Sequence, residues 1–139
     1  MSDARDHAAV LFANEAFYAA FAERDLAAMD ALWAAEGPVA CIHPGWPALV
    51  ARVEVMASWT RILANPDAPT VSSISPRALL LGDVALVLCH EQIQTAHLVA
   101  TNVFRRGSDG AWKLVHHQAG PGPTPPRGAA APEKPPRPN

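Results

Sequence analysis

Six histidines, two cysteines and a few isolated amides carry the chemistry open to this chain of 139 residues. His43 opens the run His43-Pro44-Gly45-Trp46-Pro47, where two prolines bracket a glycine and forbid continued ladder pairing. That predicts a loop or strand edge exposing the ring to a ligand. Imidazole titrates near pH ~6.5, which suits a general acid or base at neutral pH. The alternative is a loop histidine bonded to backbone. Asn102 shares strand parity with Leu98, Ala100 and Phe104, so it is a polar amide on an apolar face. A buried amide needs partners, so Asn102 either donates to a ligand oxygen or pins a neighbouring strand or helix.

His116 and His117 are consecutive, and on a strand they point to opposite faces. His116 has the parity of Trp112 and Leu114 and is expected to face a pocket. His117, with Lys113 and Val115, is expected on the outer face or against a second protomer; a bulge would reverse the two. Trp46 is expected to close a pocket mouth or pack over helices, and Trp33, Trp59 and Trp112 to be core. His90 and His97 become cross-strand neighbours if a turn centres on Ile93-Gln94, close enough to share a cation. Glu91 points the other way and no cysteine or carboxylate completes a tetrahedron, so neither metal nor cofactor is expected. Cys41 and Cys89, in apolar surroundings, read as small core hydrophobes.

The elements that must position these groups are legible as a change of period. Val10, Leu11, Phe17, Tyr18 and Phe21 recur at helical spacing and predict an amphipathic helix over 8–21, with Glu23 and Arg24 toward solvent. Asp25 can cap a second, shorter helix with Leu26, Met29, Leu32 and Trp33 on one stripe, until Gly37-Pro38 stops it. A third helix is predicted over 53–63, ending before Asn65-Pro66. Residues 71–81, 84–93, 97–105 and 112–118 are β-branched or apolar runs separated by turn residues, which predicts an antiparallel meander of about four strands. Helices followed by strands mean an α+β domain with helices on one face of a curved sheet.

Of the 14 prolines, 8 fall in the last 19 positions, so one domain over 1–120 and a disordered tail over 121–139 with polyproline II character are expected. Net charge is -2 with both signs mixed along the chain, which excludes a cationic stripe for nucleic acid or anionic lipid. The chain has no basic apolar leader and no apolar run approaching ~20 residues, so a soluble, reduced, cytoplasmic protein is expected. The strand at 84–93 is apolar on both faces, with Val84, Leu86 and Leu88 against Ala85, Val87 and Cys89. One helical layer covers only one face, so a homodimer through the outer face is expected.

With Asn14-Glu15-Ala16-Phe17-Tyr18, Arg24-Asp25-Leu26, Cys41-Ile42-His43-Pro44-Gly45-Trp46-Pro47, Ser58-Trp59, Ala100-Thr101-Asn102-Val103-Phe104-Arg105 and Trp112-Lys113-Leu114-Val115-His116-His117 in this order, the chain resembles the SnoaL-like branch of the nuclear transport factor 2-like (NTF2-like) superfamily over residues 8–119. The resemblance implies a cone-shaped α+β barrel enclosing a pocket, usually as a homodimer. It implies no single function, since the scaffold hosts isomerases, cyclases, dehydratases, hydrolases and binding modules. Against the ketosteroid isomerases of that superfamily, His43 falls at the general base, Asn102 at the protonated oxyanion-hole Asp, and Phe17 at the oxyanion-hole Tyr. All three depart from the isomerase pattern. Tyr18 lies about 100° round the helix from Phe17. The reading that follows is a cofactor-independent enzyme of isomerase or lyase type, binding a compact apolar organic molecule. His43 is its acid or base, Asn102 orients a ligand oxygen and His116 is a second polar group, with Phe17, Tyr18, Trp46, Trp59 and Trp112 as ligand-binding candidates. The rival reading is a non-catalytic ligand-binding or dimerisation module.

Overall fold

The computed structural model describes residues 2–125; the expected tail falls outside them beyond that point. Helix α1 is Ser2–Glu23, α2 Leu26–Leu32, β1 Ala40–Ile42, α3 Arg52–Ala64, β2 Val71–Leu81, β3 Val84–Ile93, β4 Ala96–Arg106 and β5 Trp112–Pro121. The strands form one sheet in the order β1-β5-β4-β3-β2. The α+β order is as the sequence predicts. The purely antiparallel meander is corrected: β2 to β5 are antiparallel, but Ala40–Ile42 adds a fifth strand parallel to β5, pairing Cys41 with His117. The apolar stretch before His43 is long enough to pair because its other edge also has a partner. Cys41 and Leu49 exchange both backbone bonds, at 2.8 and 2.9 Å.

The inner sheet face carries Ala85, Val87, Cys89, Leu98, Ala100, Phe104, Leu114 and Ala119, all buried beneath the helices. Helix α1 crosses this face along Val10, Phe17 and Tyr18, and Met29, Trp33, Val55 and Trp59 of the other helical segments complete the core. Helix α1 starts well before its apolar stripe. Arg106 at the end of β4 holds Asp6 at 2.9 Å and Asp83 at 2.8 Å, which ties the polar first turns to the sheet.

Arg24 does not point to solvent as expected. It sits in the left-handed region at φ 55, and the bonds Asp25 N–H to Ala20 O and Arg24 N–H to Phe21 O close α1 as a Schellman motif. The guanidinium reaches across to the end of α3, donating to the carbonyls of Asn65 at 2.7 Å, Leu63 at 3.4 Å and Ala68. Asp25 caps α2 through a bond from the Ala28 N–H at 3.0 Å, as expected. At the end of β5, Pro121 pairs with Leu98, and the Gly122 N–H donates to the His97 carbonyl at 3.1 Å.

Candidate functional site

The loop after β1 is built by its own sequence. Trp46 N–H donates to the His43 carbonyl at 2.9 Å across Pro44 and Gly45, and Gly45 has φ 81. That is a type II turn, with proline at its first central position and the required glycine at its second. It turns the chain back so that Trp46 covers His43, ring centroids 4.9 Å apart, while Arg61 lies 5.3 Å over the Trp46 ring. His43 itself is buried at 4% exposure, not displayed in a loop. Trp59 of α3 packs on its other side at 4.8 Å.

Hydrogen-bond direction fixes the His43 tautomer. Ser58 Oγ donates its single proton to the Val55 carbonyl at 2.6 Å, so it accepts from His43 Nε2–H at 2.9 Å. Nδ1 is then the basic atom. Cys41 Sγ lies 3.9 Å from Nδ1 and 3.7 Å from Nε2, so the thiol rests against the ring within weak hydrogen-bond range of both nitrogens. Burial lowers the His43 pKa to about 4 and pushes the Cys41 thiol up to about 12. At neutral pH the pair is an unprotonated base beside an inert thiol.

The second imidazole of the site is His117, and the expectation for His116 is reversed. The β4–β5 register runs Val103 to His116 and Phe104 to Leu114, leaving Val115 as an extra residue. This bulge turns His116 outward, half-buried with Nδ1 3.1 Å from the Ala40 carbonyl, and turns His117 inward to 2% exposure. His117 packs on Phe17 at 5.0 Å and lies 6.5 Å from His43, centroid to centroid. Burial, then the neighbouring His43 and His116, lower its pKa to about 3.

Asn102 is fully buried on the inner face of β4, as the parity predicts. Its Nδ2 donates to Asn14 Oδ1 at 2.8 Å and to the Tyr18 hydroxyl at 3.2 Å. Its Oδ1 therefore accepts from His117 Nδ1–H at 2.6 Å, which leaves Nε2 as the basic atom of that ring. Tyr18 donates to Glu91 Oε2 at 2.6 Å and lies 3.3 Å from Cys89 Sγ. Burial raises the pKa of Tyr18, Cys89 and Glu91 alike.

The structure thus joins His43, Phe17, Tyr18, Trp46, Trp59 and Asn102 in one contiguous cluster. Trp112 stands apart at the far end of β5, its ring 5.4 Å from the Arg106 guanidinium. Three members escaped the sequence reading: Asn14, Ser58 and Glu91. Each carried a signal, because Asn14 falls on the Val10–Phe17 stripe, Ser58 between Val55 and Trp59, and Glu91 alternates with Val87 and Cys89. The Trp59 indole N–H is buried with no hydrogen-bond partner. No group of three or more metal-ligating side chains occurs among the described residues, and His90 and His97 pair with Val99 and Gln92 rather than with each other.

A family model described as a SnoaL-like domain matches residues 10–121. Among solved structures, a candidate dehydratase of the NTF2-like family from Streptomyces avermitilis is 37% identical, covering 88% of this chain and 99% of that one at a TM-score of 0.78. A candidate calcium/calmodulin-dependent protein kinase type II association domain from Thiobacillus denitrificans is 31% identical, covering 78% and 91% at 0.70. A candidate ketosteroid isomerase from Parabacteroides distasonis, 17% identical over 74% and 80% at a TM-score of 0.60, shares the fold. No curated protein matches the chain.

Proposed function

Since the chain belongs to the SnoaL-like domain family of the NTF2-like superfamily, we propose that it is a cofactor-independent acid–base enzyme of isomerase or lyase type acting on a compact, uncharged organic molecule. One observation carries this: two buried imidazoles of fixed tautomer, His43 and His117, lie 6.5 Å apart, and the basic nitrogen of His43 meets only the long Cys41 Sγ contact at 3.9 Å. Bases held neutral at working pH are what proton abstraction requires. Among the described residues the buried polar groups are Asn14, His43, Ser58, Glu91, Asn102 and His117, with no lysine or arginine. A carboxylate or phosphate ligand would be desolvated there without a counter-charge, whereas a carbonyl or hydroxyl oxygen finds amide and indole donors. The likeness to a candidate dehydratase supports loss of water as the reaction.

Small molecules carried through purification and identified by mass spectrometry are expected to be neutral, oxygenated and largely apolar. On the substrate they point to, His43→Gln keeps size and polarity but removes the titration. It should abolish turnover, a loss of about 10²–10⁴-fold, and change affinity by less than about tenfold. Unchanged turnover would remove His43 from the chemistry.

A second reading, a homodimeric assembly module, is favoured by the uncovered sheet face. Leu79, Leu81, Leu88 and Val99 are 46%, 61%, 37% and 45% exposed on it, and the 31% likeness to an association domain points the same way. In this reading, as in the first, two buried free cysteines suit a cytoplasmic, reducing setting. Among the described residues no helix is long and apolar enough to cross a membrane. Light scattering should give a dimer at micromolar concentration and a monomer for Leu88→Lys; a wild-type monomer would remove the module. Dimerisation with His43-dependent turnover would unite the two readings.

A further inference from the structure

Glu91 has no task in the base chemistry of the two imidazoles. It lies on β3 at 3% exposure, and no ion pair among the described residues includes it. Its Oε2 accepts from the Tyr18 hydroxyl at 2.6 Å, and that hydroxyl oxygen accepts from Asn102 Nδ2 at 3.2 Å. Because Asn102 also holds His117 at 2.6 Å, one amide fixes the carboxyl–phenol pair relative to the imidazoles. We propose that Glu91 and Tyr18 form the acid arm of this site, a carboxylic acid and a phenol in series that deliver a proton to an oxygen of a neutral hydroxy- or keto-compound. The inference rests on the acid–base reading above.

The argument turns on which groups can donate. The side chains facing Glu91 are Tyr18 from α1, Cys89 beside it on β3 and Ser73 opposite it on β2, with Asn102 next to Tyr18 on β4. None is a cation, so burial at 3% exposure raises the carboxyl pKa and favours its protonated form, against the Tyr18 bond, which lowers it. A carboxylate could only accept, but a carboxylic acid has one O–H to give. At rest Tyr18 donates to Oε2. When a ligand oxygen takes the Tyr18 proton, the Glu91 O–H turns to the phenol oxygen and refills it.

In a dehydration His43 Nδ1 takes the proton of a C–H bond, and that bond's electron pair becomes the new C=C bond. The adjacent C–O bond breaks with its pair on oxygen, which takes the Tyr18 proton and leaves as water. Glu91 ends as carboxylate and His43 as imidazolium. Solvent returns one proton to the first and removes one from the second, so the net change is substrate to alkene and water.

Infrared difference spectra of the full chain at neutral pH should show a protonated-carboxyl stretch that Glu91→Gln removes. Benzalacetone, an uncharged enone whose ultraviolet absorption moves to longer wavelength when its carbonyl accepts a hydrogen bond, should shift on binding. The shift should survive His43→Gln and vanish in Tyr18→Phe, so failure of the base reading leaves this result standing. Tyr18 is the only tyrosine, so fluorotyrosine in the growth medium labels it alone, and its more acidic hydroxyl should enlarge the shift. That arm decides the matter should Tyr18→Phe not fold. Absence of the carboxyl band in the wild type, absence of an enone shift, or a shift indifferent to both changes at Tyr18 overturns the proposal.

Discussion

Burial lowers the pKa of His43 and His117 and raises that of Glu91, so their effects on stability have opposite signs. In the unfolded chain a histidine titrates near 6.5, and in the fold these two titrate at about 4 and about 3. Between those values the unfolded state binds more protons. Stability is therefore lost as pH falls from 6.5 towards the folded values, by about 1.4 kcal/mol per ring for each unit of pH. Glu91 has a folded pKa raised above 4.5, so the folded state binds more protons there and stability is lost as pH rises past that value. Two rings outweigh one carboxyl between pH 4.5 and 6.5. Denaturant midpoints should fall on acidification through this window, and His43→Gln should flatten the fall by one ring's share; an unaltered slope would mean that His43 is protonated in the fold. At this scale the sequence was informative where local grammar acts. A Pro-Gly turn marked His43, and strand parity marked Asn102. It could not show that Trp46 and Trp59 close over His43, since that contact depends on where α3 lies.

Elements decide which of two adjacent histidines enters the site. Val115 sits unpaired between Leu114 and His116, and the extra residue inverts the alternation of β5 from there on. Deleting Val115 would restore strict alternation and still leave His117 on the inner face. The deletion should keep the fold and the low His117 pKa, measured by NMR titration. Inserting a residue after His116 should bring a different side chain inward and abolish the low-pH titration of the His117 ring. Periodicity had placed the helices and the four antiparallel strands well, because each is long enough to display its pattern. It failed at β1, a strand of three residues that no period can reveal, and at the bulge, which leaves no mark on composition. Both lie at the edge of the sheet that carries the site.

At the scale of the whole molecule the basic side chains join elements mainly by bonding carbonyls. The last turn of α2 and the chain after it expose carbonyls that the helix cannot satisfy itself, and it has no basic residue of its own there. Arg52 of α3 takes those of Asp30, Trp33 and Ala34, Arg105 of β4 takes Glu36, and Lys113 of β5 takes Ala31. The farthest of these donors is 82 residues along the chain. A helix of seven residues does not persist in water, so α2 waits for its closure until the sheet has formed around β4 and β5. The consequence is an order in time: the sheet leads and α2 comes last. Ala27→Gly, on the exposed face of α2, should cost about 1 kcal/mol. Stopped-flow kinetics should show almost all of that loss as faster unfolding, with the refolding rate unmoved and a φ-value near zero. A refolding rate that slows in proportion would make α2 part of the nucleus, and the late-closing carbonyls would have to be satisfied by water until the sheet arrives.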